Sequence, residues 1–433
     1  MKHVAIITSG LVGITNASLK LVKKLKAEGY KVTYLCPIDI KEKIEKQHID
    51  YIQLPEINFD FTFLKPKGVI YHFTHLNSQY RNGFKELNFE VYEKILFDLK
   101  PDIVLIDEEL HELIFTSIKL DIPVKLISQF FCSRMRSNLP PIRTSIIPKN
   151  GLKGSIFGIL YAWVFLKMKV FGRAYLNKIT LKNSRRSILK KYAKSIGLSR
   201  KALISRNFPS VFIHKYLPIL SMTLPELEFP HSKPKNITYI GPMVFENTSK
   251  NLNLPDTLKK IIDSKTKNKK KLIYCSITTM TETGDTSFVK KVIDAVKDEK
   301  KWELIISLGG KLSSNTFNNL PNNVHVFKWV PQFYLLSKID CSINHGGIHT
   351  INECISNKVP MLIYSGKKYD QNGNAARIAY HGLGLMGDKD IDTSDEIHSK
   401  INTILNNINF QKEMLTTYTI YKSYDAKKIS SYL

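Results

Sequence analysis

Short apolar runs alternate with stretches of helical period along the chain, and turn residues separate them. Residues 4–7 form the first run, 10–13 a turn, and Leu19, Leu21, Val22 and Leu25 one helix face that stops at Gly29. The next run is 32–35. Strand, glycine turn, helix and strand in that order open a doubly wound sheet. Residues 88–99 read as a helix, 101–107 as a buried strand ending on the carboxylate of Asp107, and 122–127 as another strand. A crossover containing Pro230, Pro234 and Pro242 interrupts the pattern, which then restarts. Strands are expected at 272–276, 303–307, 324–327 and 361–364, with a helix at 288–296. The pattern predicts an α/β protein of two doubly wound, Rossmann-like domains facing across a cleft. The boundaries it implies are 1–235, 236–410, and a closing helical segment at 411–433 that can cross back to the first domain.

Length agrees with two domains, since 433 residues exceed one ordinary core. Charge adds something new. Sixty-four Lys and Arg against 38 Asp and Glu leave a formal net charge of +26. Lysine dominates and is scattered, without the arginine-rich and aromatic element that reads nucleic acid, so nucleic acid is not an expected partner. A lysine-rich composition bias and an anionic membrane surface remain as readings. Cys36, Cys132, Cys275, Cys341 and Cys354 are far apart and odd in number, which indicates neither a disulfide framework nor a zinc site and suits a reducing cytoplasm. The apolar start of the chain is broken by Thr8, Ser9 and Gly10, so it reads as strand and loop, not as a signal sequence. No apolar run reaches the length of a membrane span.

Residues 151–176 stand apart. Between Lys153 and Lys167 every residue is apolar, Gly or Ser, and Lys167, Lys169, Arg173, Arg185 and Arg186 follow. The stretch suits a helix lying on a membrane surface, a helix lining a greasy pocket, or a plain buried helix.

The densest chemistry lies at 345–371. His345, Gly346 and Gly347 follow an apolar strand, and Ile348, Ile351, Cys354 and Ile355 then recur at helical spacing. A strand, a glycine turn and a helix N-terminus present free N–H groups and the positive dipole end to an anion. Trp329-Val330-Pro331-Gln332, His345-Gly346-Gly347, Thr350, Glu353, Val359-Pro360, Asp370-Gln371 and Asn374-Ala375 together resemble the donor-sugar signature of family 1 glycosyltransferases. The spacing resembles the bacterial macrolide-glycosyltransferase type of this UDP-glycosyltransferase group. Ser365 stands where that family has a proline. The resemblance extends over 324–385, is weaker over 271–310, and weaker again in the first half.

That resemblance implies the GT-B fold and an inverting, metal-independent transfer of a sugar from a UDP-sugar, glucose-like, or a TDP-sugar. The acceptor implied is lipophilic or aromatic, a small molecule or a lipid. The nucleotide sugar is a co-substrate, and no cofactor or metal is implied. Trp329, Val330 and Gln332 would hold the base, Glu353 the ribose diol, and His345, Gly346, Gly347, Thr350 and Thr279 the diphosphate. Asp370 and Gln371 would bind sugar hydroxyls. The family's proton-accepting histidine falls, by alignment, on Ile14 in the loop containing Gly13. Asp107 matches its carboxylate partner and becomes the first candidate base, Glu109 the second, with His111 on the same acceptor side. Two other functions fit the residues less fully: an inactive nucleotide-sugar-binding partner protein, or a nucleotide-sugar epimerase.

Overall fold

The computed structural model describes residues 1–57, 75–179, 184–205, 210–246, 254–276, 286–309, 317 and 319–433. The first half carries β1 (His3–Ile7), β2 (Lys31–Cys36), β3 (Asp50–Gln53), β4 (Ile103–Asp107), β5 (Val124–Ser128), β6 (Leu203–Ser205), β7 (Phe212–His214), β8 (Ile219–Ser221) and β9 (Ile237–Tyr239). Seven of these make one parallel sheet in the order β3-β2-β1-β4-β5-β8-β9, and β6 and β7 pair separately and antiparallel. The second half carries β10 (Lys271–Ser276), β11 (Trp302–Ser307), β12 (Val324–Phe327), β13 (Cys341–Asn344), β14 (Met361–Tyr364) and β15 (Gly384–Gly387). They form a parallel sheet in the order β12-β11-β10-β13-β14-β15.

Both sheets have helices on both faces, which is why their strands read as near-continuous apolar runs. Leu19, Val22 and Leu25 pack one face of the first sheet, and Leu96, Leu113 and Phe115 pack the other. Ile351 and Ile355 lie on one face of the second sheet, with Val289, Val292 and Ile397 on the other. Strand order reverses between β1 and β4 in the first sheet and between β10 and β13 in the second. Ligands of such sheets bind at the carboxyl ends of the strands at these reversals. The loops after β1, β4 and β13 therefore decide what the cleft can do.

A buried ion pair and the closing helix are among the contacts that join the halves. Arg377 in the Gln371–Tyr380 helix donates to Glu228 Oε2 at 2.9 and 3.3 Å, and its guanidinium lies between the Phe131 and Phe229 rings. Both members of this ion pair are buried. The closing helix, Ile408–Asp425, meets the second half through Met414 and Tyr421 and then leads to Ile429, which lies in the first half's core. Glu28 accepts the N–H groups of Ile429 and Ser430 at 2.7 Å each, fixing that return.

The apolar segment is a helix, Ile156–Ile179, and it is not buried. Ile159 and Trp163, one turn apart, anchor it, with the Trp163 indole donating to the Leu139 carbonyl at 2.7 Å. Phe157, Tyr161 and Phe171 are 83, 72 and 71% exposed. Arg185, which reads as part of the basic flank, is instead buried and paired with Glu112 at 2.5 Å. Its guanidinium satisfies a carboxylate inside the first domain and adds nothing to the surface charge. All five cysteines are buried and free. Among the described residues, no helix is long and apolar enough to cross a membrane.

Candidate functional site

β13 ends at Asn344, and the chain turns through His345 to Gly347 into the helix Ile348–Ser356. Gly346 makes the turn possible, at φ +80°, where a side chain would also meet Ile363 at 2.9 Å. Its N–H donates to Asn344 Oδ1 and its carbonyl accepts from Asn374 Nδ2, both at 2.9 Å. The turn is thus held by amide side chains from two neighbouring elements. Gly347 is the helix N-cap and supplies no side-chain cap, so the first-turn amides keep their capacity for an anion. His345 is partly buried and its Nδ1 has no hydrogen-bond partner. Burial pushes its imidazole down to about 4, so it is neutral at pH 7.

Gln332 and Glu353 meet one helix further out. Gln332 Nε2 donates to Glu353 Oε2 at 2.6 Å and reaches Thr350 Oγ1 at 3.4 Å. Tyr274 on β10 donates to Gln332 Oε1 at 3.4 Å. Burial raises the Glu353 carboxyl, and the bond from Gln332 opposes the rise. Trp329 beside them is 64% exposed, a flat indole open to a ligand. Val330 differs from its expected role: its side chain lies in the second half's core, so only its backbone can face a base. Its apolar side chain won the core position next to Leu335 and Leu336.

Asp370 and Gln371 open the next helix. Asp370 Oδ2 accepts from Asn374 Nδ2 at 2.8 Å, and Gln371 Oε1 accepts from the Gly366 N–H at 2.9 Å. Burial lifts Asp370 to about 6 against that hydrogen bond. Lys367 pairs with Asp388 and Asp390 at 3.2 and 2.6 Å, which directs its charge away from a sugar. Thr279 lies outside the described residues.

The first-half side of the cleft is built differently. Asp107, the last residue of β4, is buried; the N–H of Glu109 reaches its Oδ1 at 3.4 Å, and its Oδ2 has no partner. Burial pushes Asp107 up to about 6, with the Glu109 N–H opposing the rise. Glu109 is only half-buried, yet its carboxyl is held well above the usual range by burial, by Asp107 and Glu108, and by Asp370 of the other half. Glu108 accepts from the Ser128 hydroxyl.

Two acceptor-side expectations are corrected. Ile14 is 1% exposed and packs into the first half's core with Leu19 and Val22, so it is not a cleft position. His111 is buried beside Phe115 and Phe212, with Nδ1 3.1 Å from His214 Nε2, and accepts the Phe212 N–H at 3.3 Å. Both side chains follow the inward face of their helices. Gly13 does face the cleft, and there it meets His349 of the donor helix. His349, Tyr274 and Asn344 gave no signal in the sequence: each acts through a contact with a distant segment. Among the described residues, no three His, Cys, Asp or Glu side chains converge as metal ligands.

The comparisons bear on this geometry. A family model described as the erythromycin biosynthesis protein CIII-like C-terminal domain matches residues 290–416. Zeaxanthin glucosyltransferase of Pantoea ananas is 22% identical over 97% of this chain and 92% of its own length. Oleandomycin glycosyltransferase of Streptomyces antibioticus is 30% identical over 24% of this chain and 23% of its own. Among solved structures, the glycosyltransferase of kitacinnamycin covers 98% of this chain and 95% of its own, with TM-score 0.69 and 17% identity. Glycosyltransferase VinC, solved in complex with dTDP, covers 98% and 96%, with TM-score 0.62 and 16% identity. Each half holds a parallel sheet, the donor-side motif is assembled in space, and the relatives are named sugar transferases: the chain has the GT-B fold and is similar over nearly its whole length to sugar transferases of the family 1 type.

Proposed function

We propose that the protein moves a glucose-like sugar from a UDP- or TDP-sugar to a lipophilic acceptor, with inversion at the anomeric carbon. The observation that carries this reading is the Gln332–Glu353 pair beside exposed Trp329, one helix from the uncapped turn at Gly347. Trp329 stacks on the base, Glu353 accepts the ribose hydroxyls, and the turn receives the diphosphate. Asp370 and Gln371 hold sugar hydroxyls. Charge that develops on the leaving diphosphate is met by fixed N–H groups and by His345, the kind of stabilisation that lowers a barrier without a resident metal. The glucose-like sugar and the apolar acceptor find support in the Pantoea ananas relative's name, and the TDP alternative in the VinC complex.

The acceptor's proton needs a base, and Asp107 and Glu109 are the carboxylates of the acceptor side. Asp107 is sealed, so it acts on an acceptor only through a neighbour; Glu109 is half-buried. A lipophilic acceptor also needs a route from its membrane. The outward face of the helix Ile156–Ile179, with Lys167 and Lys169, suits the surface of an anionic bilayer. The full chain incubated with UDP-glucose and a panel of phenols, sterols and polar lipids tests the function. A new glycoside by mass spectrometry is the expected result; tight UDP binding without any product would leave an inactive nucleotide-sugar-binding protein.

A further inference from the structure

His349 is the second residue of the donor helix, two positions after Gly347, and its imidazole leaves its own half of the molecule. Its Nε2 bonds to Gln129 Oε1, in the residue that follows β5 of the first half. Its ring also covers Gly13. A Cβ on residue 13 would stand 2.4 Å from His349 Cδ2, so the imidazole fills the space a side chain at position 13 would need. Gly13 is the second residue of the helix Val12–Ala27 that follows the β1 loop, and Ile14 beside it turns into the core. An imidazole therefore sits at the mouth of the first-half loop, but it is supplied by the donor helix.

The bond to Gln129 sets the chemistry. A carboxamide oxygen accepts, so Nε2 carries the hydrogen and Nδ1 carries the lone pair. Nδ1 has no hydrogen bond among the described residues. Burial alone lowers the imidazole, to about 4, which leaves it neutral at pH 7. The first-half residues that meet it, Gly13 and Gln129, carry no charge; the other titratable groups on its own helix are Glu353 and Cys354, with His345 in the turn before it. Of the carboxylates, Asp107 is sealed, and Glu109 is held above the usual carboxylate range by burial first and then by Asp107, Glu108 and Asp370.

We propose that His349, oriented by Gln129 and accommodated by Gly13, is the general base of the transfer. This rests on the transferase reading above. The acceptor oxygen bonds to the anomeric carbon as the bond from that carbon to the diphosphate oxygen breaks. The acceptor's proton passes to Nδ1, the leaving electron pair goes with the diphosphate, and the imidazolium returns its proton to water. Its place beside the diphosphate turn suits it, since the leaving anion stabilises the imidazolium as it forms.

The test compares His349→Asn with the unmodified chain on two acceptors, an aliphatic alcohol and a nitrophenol, with nucleotide affinity measured by calorimetry. General-base help is worth about 10²- to 10⁴-fold. The alcohol reaction should fall by about that factor, the nitrophenol reaction by less than about tenfold because its proton needs less help, and UDP affinity should stay within about threefold. Retained UDP binding shows that the variant folds. Gln129→Glu should raise the pH at which the acidic limb of the alcohol reaction falls, since a carboxylate stabilises the imidazolium. Equal losses on both acceptors, or a loss of UDP affinity of more than about tenfold, would make His349 a phosphate contact and overturn the proposal. So would full alcohol activity in His349→Asn with loss in Glu109→Gln. If the unmodified chain transfers to neither acceptor, the parent reading fails with it; a loss confined to the variant leaves that reading standing.

Discussion

The two walls of the cleft differ in how their polar groups are satisfied. On the donor wall site side chains pair with one another, Gln332 with Glu353, Asn374 with Asp370 and Gly346, Gln371 with Gly366, while His345 Nδ1 and Asn374 Oδ1 have no partner. The acceptor wall crowds Asp107, Glu108 and Glu109 together and leaves Asp107 Oδ2 bare. A wall built of satisfied pairs is ready for a ligand of fixed chemistry, such as a nucleoside diphosphate. A wall with buried, mutually repelling carboxyls costs stability until something binds.

Mutations can break this comparison at several strengths. The largest effect belongs to the joint between the walls. Glu228→Ala would leave the Arg377 guanidinium buried without its anion, and removing one member of such a pair costs about 3–5 kcal/mol. Thermal unfolding would show it, and a loss below about 1 kcal/mol would mean that the halves are not held there.

Next comes the stored cost of a buried carboxyl. The Asp107 carboxyl is lifted from 3.8 to about 6, a penalty of about 3 kcal/mol at 1.36 kcal/mol per unit. An acid raised by folding costs stability above its folded value and nothing below its unfolded value. Asp107→Asn should therefore raise the melting temperature at pH 8, with the gap closing as pH falls from about 6 towards 3.8. Asp370, lifted to about 6 by burial as well, carries the same sign of cost, so Asp370→Asn should also raise the melting temperature at pH 8, by less because the hydrogen bond from Asn374 is lost. Melting curves that fall for both variants would show that the acceptor wall carries no stored cost.

Smaller still is the donor wall's own energy. Glu353→Ala removes the ribose contact and should weaken UDP or TDP by about tenfold, about 1.4 kcal/mol. Calorimetry with unchanged affinity would remove Glu353 from the donor site. The smallest and most salt-dependent effect is on the outside. Phe157→Asp with Phe171→Asp should reduce flotation with anionic vesicles several-fold, and raised salt should do the same. Equal flotation with neutral vesicles would detach the helix Ile156–Ile179 from an electrostatic role.

The same asymmetry explains what the sequence disclosed. The fold was legible because buried parallel strands must be apolar: the expected strands at 324–327 and 361–364 are β12 and β14 residue for residue. The donor wall was legible because one contiguous turn and its helix supply most of it. The acceptor wall was not. It is assembled from the ends of β1, β4 and β5 together with a histidine from the other half, and no local pattern marks such a meeting. Ile14 misled because a one-residue shift along a helix turns a side chain by about 100°, enough to move it from cleft to core. His111 misled because a polar residue after a strand reads alike whether it faces solvent or, as here, a buried His214. The exposure of Phe157 and Phe171 could not be read either, since an apolar run looks the same buried or bare.

The most direct test of the account is transfer itself, measured with the full chain, UDP-glucose, and an alcohol and a phenol acceptor presented in anionic vesicles. Product mass and anomeric configuration are read together. The account predicts a glycoside of inverted configuration from the unmodified chain, with alcohol transfer lost in His349→Asn while UDP stays bound. Tight UDP binding with no glycoside on any acceptor, or a product that retains configuration, would contradict it.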